Sequence, residues 1–156
     1  MKNLFFILAV VILASCSQST RKTDTKASPL YVKMTIAPNI AVTDSILMRF
    51  TVYNDADSVQ QFCKWHTPFE PLLSKYLDIN NESGEEANYQ GAMAKRMMPP
   101  PADSYLKVQP NDSLSVVVNV SKGYNITKPS TYNLKYNAQN MSGLIVKDSV
   151  SFRYGK

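Results

Sequence analysis

Apolar residues follow two regimes along this chain. From Leu4 to Ala14 they form an unbroken run that contains Phe5, Phe6, Ile7, Val10, Val11 and Ile12 and stands behind the cation Lys2. Beyond Leu30 they alternate with polar residues at period two, the pattern of strands that bury one face. Val32, Met34 and Ile36 alternate with Lys33 and Thr35, and Ile46, Met48, Phe50 and Val52 share a face opposite Arg49 and Thr51. Leu114, Val116, Val118 and Val120 repeat the pattern after Pro110-Asn111-Asp112, Tyr132, Leu134 and Tyr136 do so after Pro129-Ser130, and Val146, Val150 and Phe152 mark a final strand. Shorter candidates lie at 59–64, 76–80, 92–95 and 106–108. The stretch from Thr67 to Leu73 has room for one helical turn after a proline and reads as a structured loop.

Eight or nine short strands, punctuated by Pro, Asn, Asp and Gly and with no long helical period, predict an all-β fold: an antiparallel, immunoglobulin-like β-sandwich. The first apolar run is of another kind. It is shorter than the roughly 20 residues a membrane span needs, and it ends in small residues. Leu13-Ala14-Ser15-Cys16 resembles a lipobox, the signal at which a bacterial lipoprotein is acylated on cysteine and cleaved just before it. Residues 1–15 are therefore expected to be a signal peptide. Cys16 is the expected lipid attachment site, with palmitate among its acyl chains, which hold the mature chain on a membrane. Ser, Thr, Lys, Gln and Asp dominate residues 17–28, so 16–29 reads as a lipidated flexible tether and 30–156 as the folded domain. The residues after Cys16 are not acidic, which favours the periplasmic side of the outer membrane in the cell envelope.

Charge and cysteine content narrow the chemistry. The net charge of +5 is spread out, with no block of like charges, so nucleic acid is not an expected partner. With Cys16 acylated, Cys63 is the one remaining thiol; no internal disulfide forms, and a buried structural role is expected. A single histidine, His66, stands without His-Glu-x-x-His, a metal-spaced Cys pair, a Gly-rich phosphate loop or a Gly-x-Ser-x-Gly elbow. The expectation is a protein that is not an enzyme and uses no cofactor.

From Cys63 to Tyr136 the features run Lys64-Trp65-His66-Thr67-Pro68-Phe69-Glu70, Asp78-Ile79, Tyr89-Gln90-Gly91, Lys95-Arg96, Pro99, Tyr105-Leu106-Lys107-Val108, Tyr124-Asn125-Ile126 and Thr131-Tyr132-Asn133-Leu134-Lys135-Tyr136. This order resembles the amino-terminal pro-region of secreted peptidyl-Lys metallopeptidases of the deuterolysin (aspzincin) family. The resemblance rests on a Trp-x-Thr-Pro block, a Tyr-x-Gly and Lys-Arg-x-x-Pro loop, and a closing Thr-Tyr segment. It implies a module that keeps a zinc peptidase inactive or assists its folding, here without the catalytic domain. Pro71 and Ser130 stand where that family tends to have glycine, which alters turn geometry.

The resemblance places a partner-binding surface on Lys95, Arg96, Met97, Met98, Tyr89, Gly91, His66, Thr67 and Pro68. A lysine-specific peptidase offers an acidic pocket, and Lys95 on an exposed loop would enter it as a substrate mimic, held out by the extended Pro99-Pro100-Pro101 run. Against this stands the plainer reading, in which Lys95 and Arg96 are solvated charges on an edge strand, His66 orders a turn and Trp65 is a core aromatic. Two other functional classes stay open: a periplasmic copper-binding lipoprotein using Met93, Met97 and Met98, since thioethers favour Cu(I), and an envelope structural module. Asp44-Ser45-Ile46, Asp57-Ser58-Val59, Asp112-Ser113-Leu114 and Asp148-Ser149-Val150 repeat a tripeptide that resembles the acceptor of a general O-glycosylation system in some gram-negative lineages; Asp-Ser also punctuates turns before strands.

Overall fold

Side chains of a strand point alternately to its two faces, so the period-two segments can bury their apolar set only by pairing into sheets that face one another. In a computed structural model they do so. The structure describes residues 29–156; the expected signal peptide, Cys16 and the tether up to residue 28 lie outside the described residues. Nine strands are described: β1 (Leu30–Ile36), β2 (Asn39–Ala41), β3 (Leu47–Asn54), β4 (Gln60–Cys63), β5 (Leu77–Asn81), β6 (Tyr105–Val108), β7 (Asp112–Asn119), β8 (Ser130–Tyr136) and β9 (Val150–Gly155), with one short helix, α1 (Gln139–Ser142).

The strands form a sandwich. One sheet runs β1-β3-β7, fully antiparallel, with Met34 opposite Phe50 and Phe50 opposite Val116. The other runs β2-β9-β8-β5, antiparallel apart from the parallel pair β2/β9. β4 and β6 make a separate two-stranded ribbon. Between the sheets, Met48, Phe50 and Val52 of β3 meet Ile79, Leu134 and Phe152, all buried, and the Phe50 and Tyr136 rings lie 5.5 Å apart. Each such side chain contributes about 1.5–3 kcal/mol through burial. Cys63 is buried as a free thiol.

Three expectations are corrected, and one strand, β2, is additional to those expected. Residues 92–95 form no strand: the Ala94 N–H donates to Leu73 O at 2.8 Å, and the segment runs as a loop with Met93 exposed. A short apolar run without a partner strand is not enough to make a ladder. β2 was not anticipated, because three residues after Pro38 carry almost no period; Ile40 is buried there beside β9. Val146 lies in the loop after α1, and β9 begins only at Val150. Val120 leaves β7 for a 3-10 turn, 120–122, where the Asn119 side chain accepts from Ser121 N.

One polar residue ties the ribbon to the sandwich. Asn54, at the end of β3 and almost fully buried, lies with its Nδ2 within 3.1 Å of the carbonyl oxygens of Ser58, Val108 and Gln109, while its Oδ1 accepts from Ala56 N. Asn54→Ala takes the side-chain partner from all four backbone groups, the interior Val108 carbonyl among them, and is expected to cost about 2–3 kcal/mol. Urea unfolding monitored by tryptophan fluorescence measures it, and a change within about 0.5 kcal/mol, the usual range for a surface site, contradicts this role.

Candidate functional site

The polar residues with most to do in the loops gather where the segment after β4 meets the loop before β6. Lys64 extends the ribbon by donating from its backbone N to Ser104 O at 2.8 Å. His66 then takes the left-handed conformation, φ 56°, which reverses the chain. Thr67 is fully buried; its hydroxyl donates to Lys64 O at 2.6 Å and accepts from Phe69 N at 3.2 Å, a side-chain turn that explains threonine at this position. Pro68 is buried beside it, and Phe69 enters the core against Phe50 and Phe62, 6.3 and 5.3 Å between centroids. The Tyr136 hydroxyl donates to the His66 carbonyl at 3.0 Å. The hook from 64 to 73 is thus fastened to β8 and to the core, and Glu70 lies at its outer bend.

The second segment is fastened at its entry. Tyr89 bridges to Tyr124, with rings 5.1 Å apart, and the Gln90 N–H donates to Gly123 O at 2.7 Å. The Tyr89 hydroxyl lies 2.7 Å from Leu72 O and 2.8 Å from Ala92 O, so it joins the two loops. Gly91 folds over this ring so closely that an added Cβ would stand 2.4 Å from the hydroxyl. Tyr124 is anchored in turn, its buried hydroxyl accepting from Leu77 N at 3.0 Å; burial raises its pKa.

Arg96 closes the arrangement. Its Nη2 donates to the Glu70 carboxylate, with both side chains largely buried at 19% and 15% exposure, and its guanidinium carbon lies 4.8 Å from the centroid of the buried Trp65 ring. The ring face adds about 1 kcal/mol. Arg96 Nε is buried without a hydrogen-bond partner, which leaves Glu70 as the principal counter-charge. His66 is half-buried nearby. Burial first, and the Arg96 cation second, hold its imidazole below the ordinary histidine pKa, with Glu70 opposing them.

The predicted site residues therefore divide. Lys95, Met97 and Met98 are exposed, the two methionines at 86% and 67%. Tyr89 and Gly91 build the base of the loop. Arg96 turns inward and is neither solvated nor on a strand, Thr67 and Pro68 are interior, and His66 lies between. Sequence reasoning missed Glu70 as the partner of Arg96, and Leu72, Leu73 and Tyr124 as anchors; an acidic residue inside the apolar stretch Pro68–Leu73 was the one available hint. Among the described residues no group of three or more His, Cys, Asp or Glu could hold a metal ion.

Breaking a largely buried ion pair by removing one partner costs about 3 kcal/mol. Arg96→Met and Glu70→Gln are expected to release the loop, and proteolysis by a lysine-specific protease should then cut after Lys95 at least about tenfold faster than in the native protein, as expected when a site opens by about 1.4 kcal/mol more readily. Equal cleavage rates in all three proteins contradict the clamp. No protein-family model matches this chain, and no curated protein matches it.

Proposed function

We propose that this protein is a membrane-anchored binding module, tethered through Cys16 to the outer membrane on its periplasmic side, and that the loop carrying Lys95 engages a protein partner. A zinc metallopeptidase of the lysine-specific type is the partner that fits, with the module acting as its inhibitor or folding helper.

One observation carries this reading. Lys95 is exposed between two neighbours that are fixed to the hook, Ala94 through its N–H on Leu73 O and Arg96 through Glu70 and Trp65. A lysine so placed is held in a limited range of positions before any partner arrives, and ordering costs of about 0.5–1.5 kcal/mol per side chain are met in advance for its neighbours. An acidic pocket would receive the ammonium, and Met93, Met97 and Met98 flank it with adaptable apolar surface. The resemblance of the 63–136 segment to a peptidase pro-region supports the same assignment.

The test is inhibition of a lysine-specific zinc peptidase by residues 29–156. Lys95→Ala is expected to weaken inhibition at least about thirtyfold, the equivalent of roughly 2 kcal/mol at an interface hot spot. No inhibition by the wild-type domain, or equal inhibition by both, overturns the proposal.

A further inference from the structure

The Asp-Ser-aliphatic tripeptides have no part in the Lys95 loop. The chain holds eight Asp, and those at 44, 57, 103, 112 and 148 are followed by Ser, although Ser fills only 16 of 156 positions. Turn chemistry accounts for Asp112, whose carboxylate accepts from Ser113 N at 2.7 Å. It does not account for Asp57, whose carboxylate meets Asn111 Nδ2 at 3.4 Å across the loop instead of closing its own turn.

A transferase must reach the hydroxyl and read the residues on both sides of it, so the sites that qualify expose Asp and Ser and leave the aliphatic residue at least partly open, which separates the five. Ser104 is buried and is followed by Tyr105. Ser113 is half-buried within β7, its backbone paired with Tyr53 of β3. Ser45 is exposed, but Ile46 after it is completely buried. At Asp57-Ser58-Val59 all three residues are exposed, Val59 at 48%, and the segment lies just outside β4. At Asp148-Ser149-Val150 the first two are exposed and Val150 is half-buried at the start of β9. At both places the serine oxygen already acts as an acceptor: Gln60 Nε2 donates to Ser58 Oγ at 2.9 Å and Asn133 Nδ2 to Ser149 Oγ at 3.0 Å. Neither bond uses the hydroxyl proton, so both persist when a carbon replaces it.

We infer that Ser58 and Ser149 are O-glycosylation sites, modified by a separate transferase after export directed by residues 1–15. The serine Oγ attacks the anomeric carbon of a diphosphate-activated sugar. The new bond is Oγ–C1, the broken bond is C1–O to the diphosphate carrier, and the hydroxyl proton passes to a base of the transferase while the carrier leaves as the free diphosphate. The inference does not depend on the peptidase reading, since neither tripeptide belongs to the Lys95 loop.

The test expresses the full chain in a gram-negative host in which a control protein bearing one Asp-Ser-Val acceptor is glycosylated, and reads intact mass and glycopeptide maps. The wild-type chain is expected to carry a glycan at both serines. Ser58→Ala and Ser149→Ala each remove one, Asp57→Asn removes the glycan at Ser58 while keeping the side chain's shape, and Ser113→Ala changes nothing. An unmodified wild-type mass beside a modified control, or a glycan that persists in the double serine variant, overturns the assignment.

Discussion

A guanidinium taken mostly out of water must find a counter-charge or the chain around it will not stay folded. In this protein that requirement joins two loops distant in sequence. Arg96 bonds to Glu70 and lies on the face of Trp65, so the loop before β6 is held against the hook after β4. The pair has a footing because the hook is itself tied down: Thr67 closes its turn, Tyr136 donates to the His66 carbonyl, and Phe69 packs against Phe50 and Phe62. The constraint thus passes from the sandwich core to the hook, from the hook to Arg96, and from Arg96 to its exposed neighbour Lys95.

The same logic gives the tyrosines their places. Tyr124 accepts two backbone N–H groups at the start of β5 and supports Tyr89, which reaches the carbonyls of both loops. An aromatic body with one polar tip fills a semi-buried site without leaving a backbone group unpaired. Gly91 follows because no side chain fits over the Tyr89 ring. The entry of the loop is therefore fixed by shape, and its middle by charge.

Much of the fold was legible in the sequence because strands that bury one face announce themselves by period. β1, β3, β7 and β8 were each marked by three or four alternating apolar residues. β2 and α1 were not, since three and four residues carry too little pattern, and β2 is defined by a parallel pairing with β9 at the far end of the chain. Residues 92–95 read as a short strand candidate but found no partner strand. The candidate site was legible in its composition and not in its contacts. Lys95, Met97, Met98 and Arg96 all stand in the segment the sequence singles out, but only the assembled structure separates them: the first three are exposed, and Arg96 is turned inward by a residue 26 positions earlier in the chain. A local pattern cannot reveal a pairing that only the assembled core brings about.

On the proposed function, Lys95 would act from a loop fixed in advance. The most direct measurement keeps Lys95 and removes the clamp, comparing inhibition of a lysine-specific zinc peptidase by the wild-type domain, Glu70→Gln and Arg96→Met. Loss of about tenfold or more in both variants, the cost of ordering the loop on binding at roughly 1.4 kcal/mol, is the predicted result. Inhibition unchanged in both, with the loop shown to be released, would contradict it.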